Sequence, residues 1–187
     1  MSNKNPQPAT AERRLAELGI LLPHAPKPLG AYVESVRTGN LLYLSGVLPV
    51  LEGKPPFVGR LGKELNVEQG RQAARTATLN ALSAAKENLR SLDKITRVVK
   101  LTVYLAAQED FLAHAKVADG ASELLRDIFA EDKLPVRMVL GVASLPLGVP
   151  VVVEILFEVE ALGDENHSPS SRTRSHHGNG MESNPCL

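Results

Sequence analysis

The residue best suited to bind a small anion is Arg137, which begins an apolar run directly after Pro135 and Val136. Its guanidinium group could hold a carboxylate through two parallel hydrogen bonds. An arginine that keeps an edge strand soluble would have the same sequence context. From the residues alone, both interpretations of Arg137 stay open.

Two glycine-containing stretches are candidates for close contact between the backbone and a ligand, because glycine has no side chain to hold a ligand away. They are Gly30-Ala31-Tyr32 and the turn at Ser45-Gly46. Ordinary strand ends would have similar sequences. For these stretches too, both interpretations, ligand contact and ordinary strand ends, stay open.

The sequence has none of the common catalytic or nucleotide-binding motifs, such as a Walker loop, His-Glu-x-x-His or Gly-x-Ser-x-Gly. Cys186 is the only cysteine, so neither an internal disulfide nor a cysteine-based zinc site is expected. The adjacent pair His176-His177 lies in a very polar segment and is interpreted as ordinary polar sequence. We therefore expect no metal site.

The composition is that of one ordinary globular domain. The chain has 187 residues, of which 43% are hydrophobic and 22% charged. Its 21 Lys and Arg residues balance 21 Asp and Glu residues, so the net charge is zero. A dedicated nucleic-acid binder would need a basic surface for the phosphates, and this class of protein is not expected.

Membrane insertion and secretion are not expected either. The longest apolar runs, such as Val149 to Val153, are far too short to span a bilayer. The first ten residues are polar and lack the apolar core of a signal peptide. We therefore expect a soluble protein of the cytoplasm.

The first half of the chain predicts a helix, a linker, a hairpin and a long helix. Leucines at helical spacing predict a helix over 11–18, and three prolines then impose an extended linker. Gly39-Asn40 separates two β-rich runs, 32–37 and 41–45, as in a two-residue hairpin. A long helix over 67–89 is predicted to begin with a capping box formed by Asn66 and Gln69.

The second half predicts further strands around a second long helix. Alternating apolar residues predict a strand over 95–105, with Val99, Leu101, Val103 and Leu105 on one face. A helix over 111–130 follows, then strands over 137–143 and 151–160. The last strand places valines, Ile155 and Phe157 on one face and carboxylates on the other.

The predicted order is β-β-α-β-α-β-β after a leading helix, which indicates an α+β fold. We expect a mostly antiparallel sheet with two helices on one face and a second face left partly uncovered. A sheet face that mixes apolar and charged residues is typical of a subunit interface or a lined cleft. Oligomerisation is therefore expected, although this pattern does not specify three-fold symmetry.

Three regions are predicted along the chain: an N-terminal helix and proline-rich linker over 1–28, a globular domain over 29–162, and a tail over 163–187. The tail consists largely of Ser, Arg, His, Gly and Asn. Such a composition has too little apolar surface to offset the entropy of ordering, so we expect the tail to be disordered.

Several motifs, in order, resemble the RidA/YjgF family of reactive-intermediate deaminases. They cover residues 29–160 and are Gly30-Ala31-Tyr32-Val33, then Gly39-Asn40-Leu41-Leu42-Tyr43-Leu44-Ser45-Gly46, then Arg137 followed by Val142-Ala143-Ser144-Leu145-Pro146. The arginine followed by Val-x-x-Leu-Pro is the most specific of them. The stretch 116–122 is similar to a less-characterised branch of that family.

The resemblance implies a chorismate-mutase-like fold and a homotrimer with three clefts between subunits. Each cleft would bind a small carboxylate or ketoacid-like metabolite, held by Arg137 and lined by Tyr32, Ser45 and Gly46. Active members hydrolyse 2-imino and enamine acids, such as 2-aminoacrylate, to 2-ketoacids and ammonia. The resemblance also implies that no metal or organic cofactor is used.

One departure from the family pattern bears on catalysis. Active deaminases have a glutamate in the last strand, and the matching position here is Val152, which cannot orient or deprotonate water. Glu154 lies two residues on, about 6–7 Å along a strand, and is a weak candidate for that role. The catalytic residue is otherwise unknown.

Three functions therefore remain open. The first is a cofactor-independent imine or enamine deaminase, and the second is a trimeric metabolite-binding or regulatory protein without catalysis, which Val152 favours. An endoribonuclease-like activity is the weakest of the three, given the zero net charge.

Overall fold

The computed structural model describes residues 10–161. Its helices are α1 (Ala11–Glu17), α2 (Val67–Leu89) and α3 (His114–Phe129). Its strands are β1 (Ser35–Thr38), β2 (Leu41–Leu44), β3 (Ile95–Ala106), β4 (Val136–Val142) and β5 (Val151–Val159). The α+β class and the predicted order of elements are confirmed.

Helix α2 begins and ends at residues suited to those positions. The Asn66 side chain accepts a hydrogen bond from the Gln69 backbone, and the Gln69 side chain accepts one from the Asn66 backbone, both at 2.9 Å. The predicted capping box is therefore present. At the other end Arg90 has a φ of 71°, a left-handed conformation that terminates the helix.

Helices α2 and α3 lie unusually close together at Gly120. A Cβ atom at this position would lie 2.2 Å from the carbonyl oxygen of Arg71 on α2. Any side chain would force the two helix backbones apart, so this crossing depends on glycine. The Arg71 guanidinium also pairs with Glu123 of α3 at 2.6 Å.

The hairpin between β1 and β2 has the predicted two-residue turn. Thr38 pairs with Leu41, which leaves Gly39 and Asn40 as the turn residues. Gly39 has a φ of 56°, whereas Asn40 does not have a positive φ. A positive φ at the first turn residue alone is the pattern of a type II′ turn.

The five strands form one sheet in the order β1-β2-β5-β3-β4. Neighbouring strands are antiparallel except β3 and β4, which are parallel and joined through α3. The expectation of a mostly antiparallel sheet is therefore confirmed. The parallel pair places β4, with Arg137, at an edge of the sheet.

One face of the sheet packs against α2 and α3, and the other face lacks a covering element among the described residues. On the covered face Leu42, Phe157 and Leu101 are fully buried. The open face shows large apolar side chains on both edges. They are Val36, Tyr43, Val136, Met138 and Leu140, each more than 40% exposed.

The predicted face of Val99 is wrong. Irregular pairing between Val98 and Lys100 makes Val99 the additional residue of a β-bulge. Val98 opposite Phe157 therefore enters the core, with 1% of its surface exposed, and Val99 is only partly buried. The alternation predicted from Leu101 to Leu105 holds, because the register beyond the bulge is regular.

Helix α1 packs on the domain instead of standing apart from it. Ala11 and Leu15 belong to the core, and Lys86 of α2 pairs with Glu12 at 2.7 Å. The proline-rich segment that follows runs back to the start of β1. The predicted tail, with His176, His177 and Cys186, lies outside the described residues.

Candidate functional site

A pocket of about 830 Å³ opens where the proline-rich segment passes the ends of β1 and β2. Its walls come from three parts of the chain: residues 23–34, residues 45–53, and Leu147 in the turn before β5. Ala84 of α2 also lines it. Tyr32, Ser45 and Gly46, which were singled out in the sequence, all lie in this pocket.

Tyr32 and Ser45 are held in the pocket by local hydrogen bonds. The Leu29 backbone N–H donates to the Tyr32 hydroxyl oxygen over 3.2 Å. The Ser45 N–H donates to the Glu34 carbonyl oxygen over 2.9 Å, which extends the hairpin by one bond. Strand β1 begins at Ser35, later than predicted, because the preceding residues turn to form the pocket wall.

Gly46 packs directly on Val152, the residue that replaces the expected glutamate. A Cβ atom at Gly46 would lie 3.1 Å from Cγ1 of Val152. Val47 pairs with Val153 through an isolated bridge beyond the end of β2, which holds Gly46 beside β5. Val152 is 7% exposed and supplies an apolar surface beside the predicted ligand contacts.

Glu34 is a pocket residue that the sequence analysis missed. Burial, together with repulsion from Glu87 on α2, raises the pKa of the Glu34 carboxyl above its ordinary value of 4.5. A carboxyl group with a raised pKa inside a pocket is a candidate acid or base. Its position directly after the Gly30-Ala31-Tyr32-Val33 motif was the available signal.

The proline-rich segment was also missed as a site element. The sequence predicted an extended linker there, and residues 23–28 instead form one wall of the pocket. The prolines predict an extended backbone, but they do not show which part of the domain the segment packs against. Its role became visible only when the segment was placed beside the loop over 45–53.

Arg137 lies outside this pocket, on edge strand β4. It faces the helix side of the sheet, where its Nη1 donates to Asp119 Oδ1 at 2.7 Å and to Ser122 Oγ at 3.0 Å. Both bonds use the same nitrogen, so among the described residues Nη2 and Nε have no partner. The Arg137 side chain is 28% exposed, which leaves those donors accessible.

Within one chain, Arg137 is therefore separated from the other predicted site residues. Three strand spacings, from β2 through β5 and β3 to β4, amount to about 14 Å. Ser45 and Gly46 follow β2 and Tyr32 precedes β1, so at least these three spacings separate them from Arg137. A small carboxylate could contact both groups only if the second group came from another copy of the chain.

Glu154 lies on the open face of β5. The Tyr104 hydroxyl donates a hydrogen bond to Glu154 Oε2 over 3.1 Å. Burial and this carboxylate raise the pKa of the Tyr104 phenol above its ordinary value of 10.0, so the phenol stays protonated at neutral pH. Glu154 is thus held by Tyr104, and it is not among the pocket-lining residues.

Residues 10–161 contain no cluster of three or more His, Cys, Asp or Glu side chains that could hold a metal ion. In the same range, no helix is long and apolar enough to cross a membrane.

Comparison with known families and proteins gives consistent matches. Residues 12–159 match the family model described as "YjgF/chorismate_mutase-like, putative endoribonuclease". Protein TCP17 of Trypanosoma cruzi is 39% identical over 146 residues, which are 78% of this chain and 91% of that protein. A 2-iminobutanoate/2-iminopropanoate deaminase of Dermatophagoides farinae is 27% identical over 75% of this chain and 95% of its own length.

A solved structure confirms the fold. The crystal structure of a Shewanella oneidensis protein superimposes with a TM-score of 0.77 at 35% identity. The match covers 80% of this chain and 99% of that one. The match therefore spans nearly the whole described region, including the strands that carry the pocket and Arg137.

Proposed function

The chain belongs to the YjgF/RidA family, and from this premise we propose that it binds small carboxylate metabolites between subunits and hydrolyses 2-imino acids. The Dermatophagoides farinae relative is named as a deaminase of 2-iminobutanoate and 2-iminopropanoate. The proposed products are a 2-oxo acid and ammonia. The reaction requires no metal and no organic cofactor.

The observation that carries this proposal is the position of Arg137 relative to the pocket. Its guanidinium has two unpaired nitrogens among the described residues and lies at one edge of the sheet. The pocket with Tyr32, Ser45 and Gly46 lies toward the other edge. If the Arg137 edge of one copy met the pocket edge of another copy, each such contact would form one cleft. A closed ring of three copies would then contain three clefts.

The open face of the sheet supports assembly. Val136, Met138 and Leu140 of β4 are 72%, 51% and 41% exposed, respectively. They lie in a row on the same face, which is a continuous apolar strip at the edge that carries Arg137. Apolar strips of this kind on a soluble protein mark interaction surfaces, and we propose a homotrimer.

The proposed reaction adds water to the C=N bond of the imine. Arg137 would hold the carboxylate with Nη2 and Nε, and the Ser45 hydroxyl and the Gly46 backbone would lie beside the reacting carbon. The water oxygen bonds to that carbon, and one water proton goes to the imine nitrogen. The hydroxyl proton of the carbinolamine then moves to the amino nitrogen, the C–N bond breaks, and ammonia and the 2-oxo acid are released.

A carboxylate is needed to orient and deprotonate the water, and Glu34 is the better placed of two candidates. It lies in the pocket with Tyr32 and Ser45. Glu154 is engaged by the Tyr104 phenol on the open face. We therefore assign the water-activating role to Glu34 and not to Glu154.

One observation favours a second function, carboxylate binding without turnover. Val152 replaces the family's glutamate and packs on Gly46, so the wall beside the predicted ligand contacts is apolar. In that case the protein would sense or carry a 2-oxo acid. An endoribonuclease activity has less support, because the pocket's charged residues are of both signs and offer no basic track for phosphates. A cytoplasmic location is part of the proposal.

The experiment is ammonia release from freshly generated 2-aminoacrylate, with light scattering to measure the oligomeric state. Wild type should release ammonia as a trimer, and Arg137→Ala should abolish release while remaining trimeric. Arg13→Ala, at an exposed arginine on α1, is the matched control and should behave as wild type. Binding without turnover, lost in Arg137→Ala, would establish the second function. Binding unaffected by Arg137→Ala would refute the site.

A further inference from the structure

The pocket is much larger than a three-carbon acid requires. Such an acid has about six non-hydrogen atoms and at roughly 30 Å³ each would occupy about 180 Å³. The pocket measures about 830 Å³, within the range of cavities that hold drug-sized ligands. Most of its volume therefore lies beyond any carboxylate bound beside Ser45 and Gly46.

The additional volume is lined mainly by apolar side chains. Pro23, Pro26 and Pro28 line the pocket on the side of the proline-rich segment, and Leu48, Val50 and Leu51 line it on the side of the loop over 45–53. Apart from Tyr32, the titratable side chains among the lining residues are His24, Lys27, Glu34 and Glu52. The pocket thus combines the polar groups of Tyr32 and Ser45 with a larger apolar lining from the prolines, Leu48, Val50 and Leu51, which we call the apolar compartment.

Hydrogen bonds from α2 fix the backbone of the loop that lines the apolar compartment. The amide of Asn80, a residue with 1% exposure on α2, donates to the carbonyl oxygens of Leu48 and Val50 at 2.9 and 2.8 Å. The prolines fix the φ angle at three positions of the segment over 23–28. A wall anchored by a buried amide and a wall of prolines form a pocket that exists before the ligand arrives.

We propose that the ligands are 2-imino or 2-oxo acids with a branched or aromatic apolar side chain, whose side chain occupies the compartment between the prolines and Leu51. This inference rests on the proposed function, since it uses the same carboxylate site. Each further buried methylene group tightens binding about fourfold. The three carbons by which 4-methyl-2-oxopentanoate exceeds pyruvate should therefore tighten binding roughly 60-fold.

The test is calorimetric titration of the full chain with pyruvate and with 4-methyl-2-oxopentanoate. Wild type should prefer the branched acid by about 60-fold. Leu51→Gln should lose at least about tenfold of that preference while its affinity for pyruvate stays the same. Leu51 is 46% exposed, so this substitution is compatible with folding. Leu21→Gln, at a residue 91% exposed and outside the pocket, is the control and should leave both affinities unchanged.

The possible failures are distinguishable. Equal affinity for the two acids, both lost in Arg137→Ala, would keep the proposed function and overturn the inference about the side chain. A preference that Leu51→Gln leaves intact would also overturn it. If neither acid binds, the proposed function itself is wrong, and this inference falls with it.

Discussion

Gly46, in the turn after β2, packs directly on Val152 of β5, and a Cβ atom at Gly46 would lie 3.1 Å from Val152 Cγ1. This contact couples a predicted ligand-binding turn to the position at which the resemblance to the family predicts a glutamate. Substitutions at residues 46 and 152 therefore have to be tested in combination.

Gly46→Ala should lower the free energy of unfolding by about 1 kcal/mol, because the added methyl group is crowded against Val152. In a Val152→Ala background the same change should have almost no effect, which a double-mutant cycle by urea denaturation would measure. Gly30→Ala is the control, since its nearest contacts are at 3.7 Å. Equal losses in both backgrounds would show that the two residues are not coupled.

Val152→Glu should raise ammonia release from 2-aminoacrylate by at least about tenfold, because a carboxylate would then stand beside Gly46 where water can be oriented. Val152→Gln has the same shape without the basic oxygen and should show no gain. Initial rates at neutral pH would measure both. A similar gain in the glutamine variant would attribute the effect to polarity and not to base catalysis.

Glu34→Gln should reduce ammonia release by about 100-fold or more, since general base catalysis contributes about 10²–10⁴-fold. Affinity for a 2-oxo acid should change little, because the carboxylate of the ligand contacts Arg137 from another copy. Steady-state rates and calorimetry on the same preparations separate these effects. Unchanged rates would remove Glu34 from the mechanism and leave Glu154 as the next residue to replace.

Glu34 also predicts a pH dependence of stability. Its pKa is raised in the folded protein, so the native state binds this proton more tightly than the unfolded state. The stabilisation is present at low pH and is lost as pH rises from its ordinary pKa of 4.5 through the folded value. Other titratable groups near the Glu34 carboxyl are His24, Lys27 and Glu52, which line the same pocket, and Glu87 on α2.

Glu34→Gln should therefore be more stable than wild type at pH 7, and the difference should shrink toward about pH 4. Denaturation curves across this range would measure it. Glu109→Gln, at an exposed residue, serves as the control. A constant difference at all pH values would mean that the carboxyl does not titrate differently in the two states.

Asp119→Asn should tighten the binding of 2-oxo acids up to about fivefold, since the Asp119 carboxylate neutralises Arg137 and exposed ion pairs are worth at most about 1 kcal/mol. Ser122→Ala removes the other partner of Nη1 without changing charge and should have a smaller effect. Titration at low ionic strength would measure both. Weaker binding by Asp119→Asn would mean that Asp119 mainly positions the guanidinium.

The sequence by itself determined the elements and their order. The capping box at Asn66 and the turn at Gly39 are local, because side chains and backbone within three residues decide them. The apolar faces of α2 and β5 also follow from periodicity within each element. The bulge at Val99 did not follow, because it depends on pairing with β5.

The sequence also identified Tyr32, Ser45, Gly46 and Arg137 as candidate residues, but not how they are arranged. Only the tertiary structure showed that at least three strand spacings, about 14 Å, separate Arg137 from the other three. It also placed Glu34 and the proline segment in one pocket. Sheet order and pocket walls arise from contacts between residues far apart in the chain, and no local pattern encodes those contacts.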